Sequence, residues 1–147
     1  MAVPMILMAL AMGAIISIYL PMITQTAKIL GSGPMANVPF FAVAFVTSLV
    51  IALASGARGE TFQKIGAIPP ILLTAGAMSA AMIIGSSYLI PKIGIGTFFV
   101  LLVSGQVLAG MILGYFGLFG VPATALTLGK LLGAAMVIGG VWLVTFR

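Results

Sequence analysis

The sequence contains no cysteine and no histidine. Disulfides, thiol nucleophiles and the commonest soft metal ligands are therefore excluded. Acids are almost missing as well: Glu60 is the only one in 147 residues. A carboxylate metal cage or a paired-carboxylate acid–base site cannot be assembled within one such chain. No Gly-rich stretch ends in Lys-Ser or Lys-Thr, so a phosphate-cradling P-loop is absent. No plausible nucleophile–base pair remains. The chain is expected to be no enzyme, and neither a cofactor nor a metal is expected.

Charge of either sign is scarce. Charged residues make up 5% of the chain, against roughly 25% in soluble domains. In their place stand 63% hydrophobic residues and a mean hydropathy of +1.37. A water-soluble fold of that composition would expose far more apolar surface than water tolerates. Lipid is the solvent that fits. The net charge of +5 comes from six cations scattered singly, mostly beside apolar runs. They read as anchors near lipid headgroups, not as a nucleic-acid footprint.

A membrane span needs about 20 mostly apolar residues. The charges and breakers divide the chain into five such stretches, at about 2–27, 37–54, 67–90, 94–116 and 127–146. Gly31-Ser32-Gly33-Pro34 is expected to break the chain before the second span. Pro91-Lys92 is expected to stop the third. Gly117 to Pro122 divides an uncharged run too long for one span. Thr127 is a plausible N-cap for the last helix, with Lys130 in its first turn able to snorkel to the headgroups. The segment 55–64 is the one properly hydrophilic loop. The first stretch lacks a positive n-region and is too long for a signal peptide, so it is expected to span. With no repeat and no low-complexity segment, the expected architecture is all-α, a single five-helix transmembrane domain over 1–147.

An odd number of spans places the two termini on opposite sides. Arg58, Lys64 and Lys130 then fall on one side, and Lys28, Lys92 and Arg147 on the other. Orientation normally follows an excess of cations on the cytoplasmic side; here there is none. Either the balance is accidental or a boundary is misplaced, or copies insert both ways and pair antiparallel. The last case would build an inverted repeat from two chains, the arrangement underlying many alternating-access carriers.

Polar residues inside the spans are the candidate site. Ser17, Pro21, Thr24 and Lys28 share one face of the first helix, with Gln25 beside them. Pro21 removes a backbone hydrogen bond and frees a carbonyl. The same stripe could also be the end of a span at the interface. Ser104 and Gln106 lie near the middle of the fourth span. An unpaired amide in hydrocarbon costs several kcal/mol, roughly 4–8 on alkane scales, so Gln106 should meet protein or water. It is either glue between helices or part of a cavity. Tyr19 and Tyr88 are possible aromatic walls. Gly110 and Gly114 form a GxxxG pair, and Gly129, Gly133 and Gly140 form a small-residue seam; both read first as helix-packing or dimer surfaces. No acid lies inside a span, which removes the usual device of a proton-coupled cation exporter. Lys28 would instead favour an anionic or carboxylate-bearing solute.

Several segments look familiar together. They are Pro21 with Gln25, Tyr88-Leu-Ile-Pro91-Lys-Ile-Gly94, Ser104-Gly105-Gln106, Tyr115-Phe116-Gly117-Leu118-Phe119-Gly120 and Gly129-Lys-Leu-Leu-Gly133. In this order and spacing they resemble the small five-span YdcZ-like branch of the drug/metabolite transporter superfamily, across essentially the whole chain. That resemblance implies a multi-pass protein of the bacterial inner membrane. It also implies antiparallel pairing, with a second copy of the chain or with a paralogous five-span partner. The chain departs from the family pattern at Gly114, where relatives often carry an acid, and at Tyr115, where histidine is common. A partner chain could supply the missing acid. The expected task is the movement of a small metabolite or drug-like solute by alternating access. A passive channel and a non-transporting accessory subunit are the alternatives.

Overall fold

A computed structural model describes residues 3–146; Arg147, Met1 and Ala2, the first residue of the predicted first span, lie outside the described residues. Among the described residues, five helices are long and apolar enough to cross a membrane. They are α1 (Val3–Leu30), α2 (Gly33–Ala54), α4 (Pro70–Ile93), α5 (Ile95–Phe116) and α6 (Leu128–Phe146). A short helix, α3 (Gly59–Gln63), lies in the hydrophilic loop, and a 3-10 turn (Lys64–Ala67) runs past its end, so that α4 starts three residues after the predicted 67.

The chain divides into two compact units, Met1–Lys92 and Ile93–Arg147. In the first, α1 and α2 form a hairpin, and α4 is tied to α2 by a hydrogen bond. In the second, α5 packs against α6.

The boundary between α1 and α2 is tighter than the sequence suggested. α1 runs to Leu30 and α2 begins at Gly33, four residues before the predicted start at Asn37. Gly31 adopts φ +66°, a left-handed conformation in which glycine carries no Cβ penalty. Its N–H donates to the Lys28 carbonyl and that of Ser32 to the Ala27 carbonyl, which closes the end of α1 as a Schellman motif. Ser32 then caps α2, its Oγ accepting from the Met35 N–H at 3.3 Å. Pro34 sits in the first turn of α2, where its missing N–H leaves no bond unmade. The proline that reads as a breaker is therefore a starter.

Prolines inside helices also behave more mildly than expected. α1 continues through Pro21 and α4 through Pro91 to Ile93. The end of α4 is set instead by Gly94, at φ +81°. At the far end of α5, Gly117 takes φ +61° and its N–H donates to the Leu113 carbonyl. Thr127 caps α6 as expected, its Oγ1 accepting from the Lys130 N–H at 3.3 Å. Lys130 does not extend away as a snorkelling side chain would. Its Nζ donates to the Ala125 carbonyl at 2.8 Å, an orphan acceptor in the irregular segment before α6.

Little of each span is covered by the chain itself. Only 11% of the most apolar window is buried in α1, α2, α4 and α5, and 6% in α6. The buried side chains cluster instead at a few levels: Leu20, Ile23, Ala36, Ile83 and Ile90 in the first unit, Phe98 and Ala134 in the second.

Candidate functional site

The C-terminal end of α1, the N-terminal end of α2 and the C-terminal half of α4 border an open cavity of about 420 Å³. Thr24, Lys28, Ser32, Gly33, Ser87 and Tyr88 are among its walls. Three residues singled out from the sequence thus meet here: Thr24, Lys28 and Tyr88. The helical period explains the first two. Positions 24 and 28 are one turn apart and share a face, and the Schellman turn folds that face back toward the start of α2.

The hydroxyls around this cavity are not equivalent. Thr24 is buried and spends its Oγ1 on the Leu20 carbonyl at 3.0 Å. Ser86, almost fully buried, bonds the Ile83 carbonyl at 2.8 Å. This is the usual habit of serine and threonine inside helices. Ser87 departs from it: among the described residues its shielded Oγ has no hydrogen-bond partner. Pro91, four residues on, also has no N–H to offer the Ser87 carbonyl. The Ser87 side chain packs against Gly33; a Cβ at Gly33 would stand 3.7 Å from the Ser87 Cβ, an ordinary contact.

Charge at the cavity is positive. Lys28 is the one charged residue in its walls among the described residues. Lys92 places its Nζ 3.6 Å from the ring centroid of Tyr88, another wall residue. This is a close cation–π contact. The only acid of the chain, Glu60, lies beyond the other end of α2. The 22 residues of that helix span about 33 Å at 1.5 Å per residue.

The remaining sequence candidates fall elsewhere. Ser17 is exposed and bonds the Gly13 carbonyl of its own helix. Gln25 is exposed, and Pro21 is half-buried beside Leu20. Tyr19 stacks on Phe40 with ring centroids 5.7 Å apart. It lines a second, apolar groove of about 570 Å³ between α1 and α2. Ser104 is buried and donates to the Val100 carbonyl at 2.6 Å. It lines an apolar pocket of about 370 Å³ between α5 and α6, as does Gly140. Gln106, mid-way along α5, is exposed on the surface of the chain.

The glycines separate similarly. Gly114 is buried, and a Cβ there would stand 3.0 Å from the Thr124 Oγ1. The Thr124 N–H donates to the Gly114 carbonyl at 2.8 Å. Gly114 thus seats the segment between α5 and α6 against the end of α5. Gly110, Gly133 and Gly140 have open space where a Cβ would be, and at Gly129 the nearest atom is the Thr127 Oγ1 at 4.0 Å.

Three polar contributors escaped sequence reasoning: Ser32, Ser87 and Asn37. Ser32 followed by Gly-Pro is a cap signature that could have been recognised. Ser87 four residues before Pro91 was a visible signal too. Asn37 is 8% exposed, and its Nδ2 donates to the Ala80 carbonyl at 3.1 Å, bridging α2 to α4. An asparagine in so apolar a helix should have been read as buried and paired, because its amide is costly in lipid otherwise.

No curated protein and no solved structure gave a match to the chain. One family does match, over residues 4–143: DMT_YdcZ, described as "Putative inner membrane exporter, YdcZ". That range takes in all five spans but for their extreme ends, so the chain is a multi-pass inner-membrane protein that belongs to the DMT_YdcZ exporter family.

Proposed function

We propose that the protein exports a small metabolite or drug-like solute by alternating access, as an antiparallel pair of five-span units. The observation that carries this reading is the exposure of Gln106 half-way along α5. A lone unit would hold this amide in hydrocarbon, at a cost of several kcal/mol, about 1–3 by protein mutational scales. A second chain across the α5 face relieves that cost. Gly110, one turn away and free of close neighbours, lets a helix approach. The balanced cations favour opposed insertion, and opposed copies generate the inverted symmetry on which alternating access is built. The solute meets the Lys28–Ser87 cavity during its passage.

Crosslinking tests the pairing directly, since introduced thiols are the only ones present. Phe99 and Leu113 lie on the Gln106 face, each about 10 Å along the axis from it. In an antiparallel pair, Phe99→Cys joins Leu113→Cys of the other copy. A preference for the 99–99 and 113–113 products would overturn the antiparallel arrangement. Counterflow in proteoliposomes tests the carrier. Uptake of a labelled solute should accelerate when the same solute is loaded inside; equal uptake with and without it identifies a channel.

A further inference from the structure

The geometry points to the α1/α2/α4 cavity as a binding site for a small anionic group, a carboxylate or a phosphate, held by Lys28 and the Ser87 hydroxyl. The inference rests on the proposed passage of solute through this cavity, and adds the chemical class that it accepts. Its first support is the hydroxyl. Ser17, Thr24, Thr26, Ser86 and Ser104 all donate to a carbonyl of their own helix. The Ser87 Oγ is shielded and donates to none. A hydroxyl shielded without a partner is costly, so a turn of the Ser87 side chain toward a ligand acceptor in the groove satisfies a standing need.

The second support is the charge. Lys28 belongs to the last turn of α1, where a cation offsets the helix dipole. That accounts for a cation at this level but not for its place in the wall of a cavity with a free hydroxyl. Lys92, stacked on Tyr88, adds a second positive charge beside the same wall. No acid is near enough to neutralise either one, because the only acid of the chain lies beyond the opposite end of α2. Ala27, Pro34 and Ile84 add apolar surface to its walls. The occupant is therefore an anion on a small apolar body. A soluble carboxylate and the phosphate of an anionic lipid share that chemistry.

Equilibrium binding of labelled benzoate to the full chain in nanodiscs tests the site without any flux. In phosphatidylcholine discs benzoate should bind at least ~10-fold more tightly than neutral benzamide, a difference of about 1.4 kcal/mol. Lys28→Gln should weaken benzoate and leave benzamide unchanged, Ser87→Ala should weaken both because both ligands carry an acceptor oxygen, and Lys28→Arg should retain the preference. The helix content of each variant, read by circular dichroism, separates loss of the site from loss of the fold. Discs of equimolar phosphatidylcholine and phosphatidylglycerol identify the source. Displacement of benzoate there assigns the site to lipid phosphate; undiminished binding assigns it to a soluble carboxylate. Equal binding of benzoate and benzamide, or a preference that survives Lys28→Gln in a folded protein, overturns the inference. Benzoate binding without counterflow would keep the site and remove the carrier; counterflow of cations alone would do the reverse.

Discussion

The two units use the same material differently. Each has a groove between helices, and each groove contains serine. In the α5/α6 pocket, Ser104 is bonded to its own helix, and the other walls are residues such as Val100, Val137 and Val141. That pocket is a packing seam with one neutralised hydroxyl. In the α1/α2/α4 cavity, Ser87 is unbonded and Lys28 and Tyr88 stand beside it. On the proposed reading, the difference is that a polar residue in a span is available to a ligand only when its own backbone has not already satisfied it. It also shows where binding energy for a solute can come from, because lipid and apolar walls supply little discrimination between solutes.

Filling the two grooves breaks or sharpens this contrast most strongly. Gly33→Leu would push a side chain toward Ser87, whereas Gly33→Ala meets only an ordinary contact. Export by Gly33→Leu, once a solute is in hand, should fall at least ~10-fold, and by Gly33→Ala only slightly. Gly140→Leu, which enters the α5/α6 pocket, should leave export within about twofold of the parent, a barrier change under about 0.5 kcal/mol. Initial rates from proteoliposomes check all three. Equal losses from both grooves would erase the distinction between the units.

The next effect belongs to the second unit and to its stability. A methyl at Gly114 would stand 3.0 Å from the Thr124 Oγ1. Gly114→Ala should therefore destabilise the protein by about 1–3 kcal/mol, the range for overpacked sites. Thr124→Ala removes the obstructing atom, so the double variant should recover much of the loss. Reversible unfolding in mixed micelles measures the cycle, and additive losses would show that the contact is not the cause.

How much of this was legible in the sequence depends on the scale of the feature. The five spans were, because hydropathy over about 20 residues is set by the bilayer itself. The Thr127 cap was, because it depends on one side chain and the next turn. Boundaries near proline were not. Pro34 and Pro91 look alike in a sequence, yet one lies in a first turn and the other is carried inside a helix. Within the polar stripe of α1, periodicity placed Ser17, Thr24 and Lys28 on one face, but only the Thr24–Lys28 end borders the cavity, and Ser17 does not. Contact between helices, not position on one helix, decides that, and spacing along the chain does not encode it. The same reason hid Ser87, whose significance lies in a hydrogen bond that it does not make.

A smaller effect lies in the link between α5 and α6. Phe119 holds φ +55° between two left-handed glycines, Gly117 and Gly120. A side chain in that region costs about 1–2 kcal/mol relative to the right-handed one. Phe119 is also 78% exposed, so its ring recovers little by packing within the chain. Phe119→Gly should relieve the strain while loosening the unfolded chain, for a net gain of about 0.5–1 kcal/mol. Chemical unfolding followed through Trp142, the single tryptophan and a residue of α6, reports on this unit. A loss of stability instead would mean that the Phe119 ring is held by a contact outside the chain, such as lipid or a second copy.

The smallest expected effect tests the first unit by its own bridge. Asn37 donates to the Ala80 carbonyl, but its Oδ1 is buried without a partner among the described residues. Half of the amide is favourable and half is costly. Asn37→Leu removes both at similar volume, so the favourable bond, about 0.6 kcal/mol for an average pair between helices in a membrane, is offset by relief of the orphaned oxygen. The net change should lie within about 0.5 kcal/mol of zero. Asn37→Asp keeps the acceptors and loses the donor, so it should be the worse of the two substitutions. The order of the two midpoints in reversible unfolding decides the matter. If Asn37→Leu proves the more damaging, the Oδ1 is not idle: some group outside the chain, a solute or a partner helix, must donate to it. The polar region of the first unit would then extend one turn deeper along α2 than the cavity walls alone indicate.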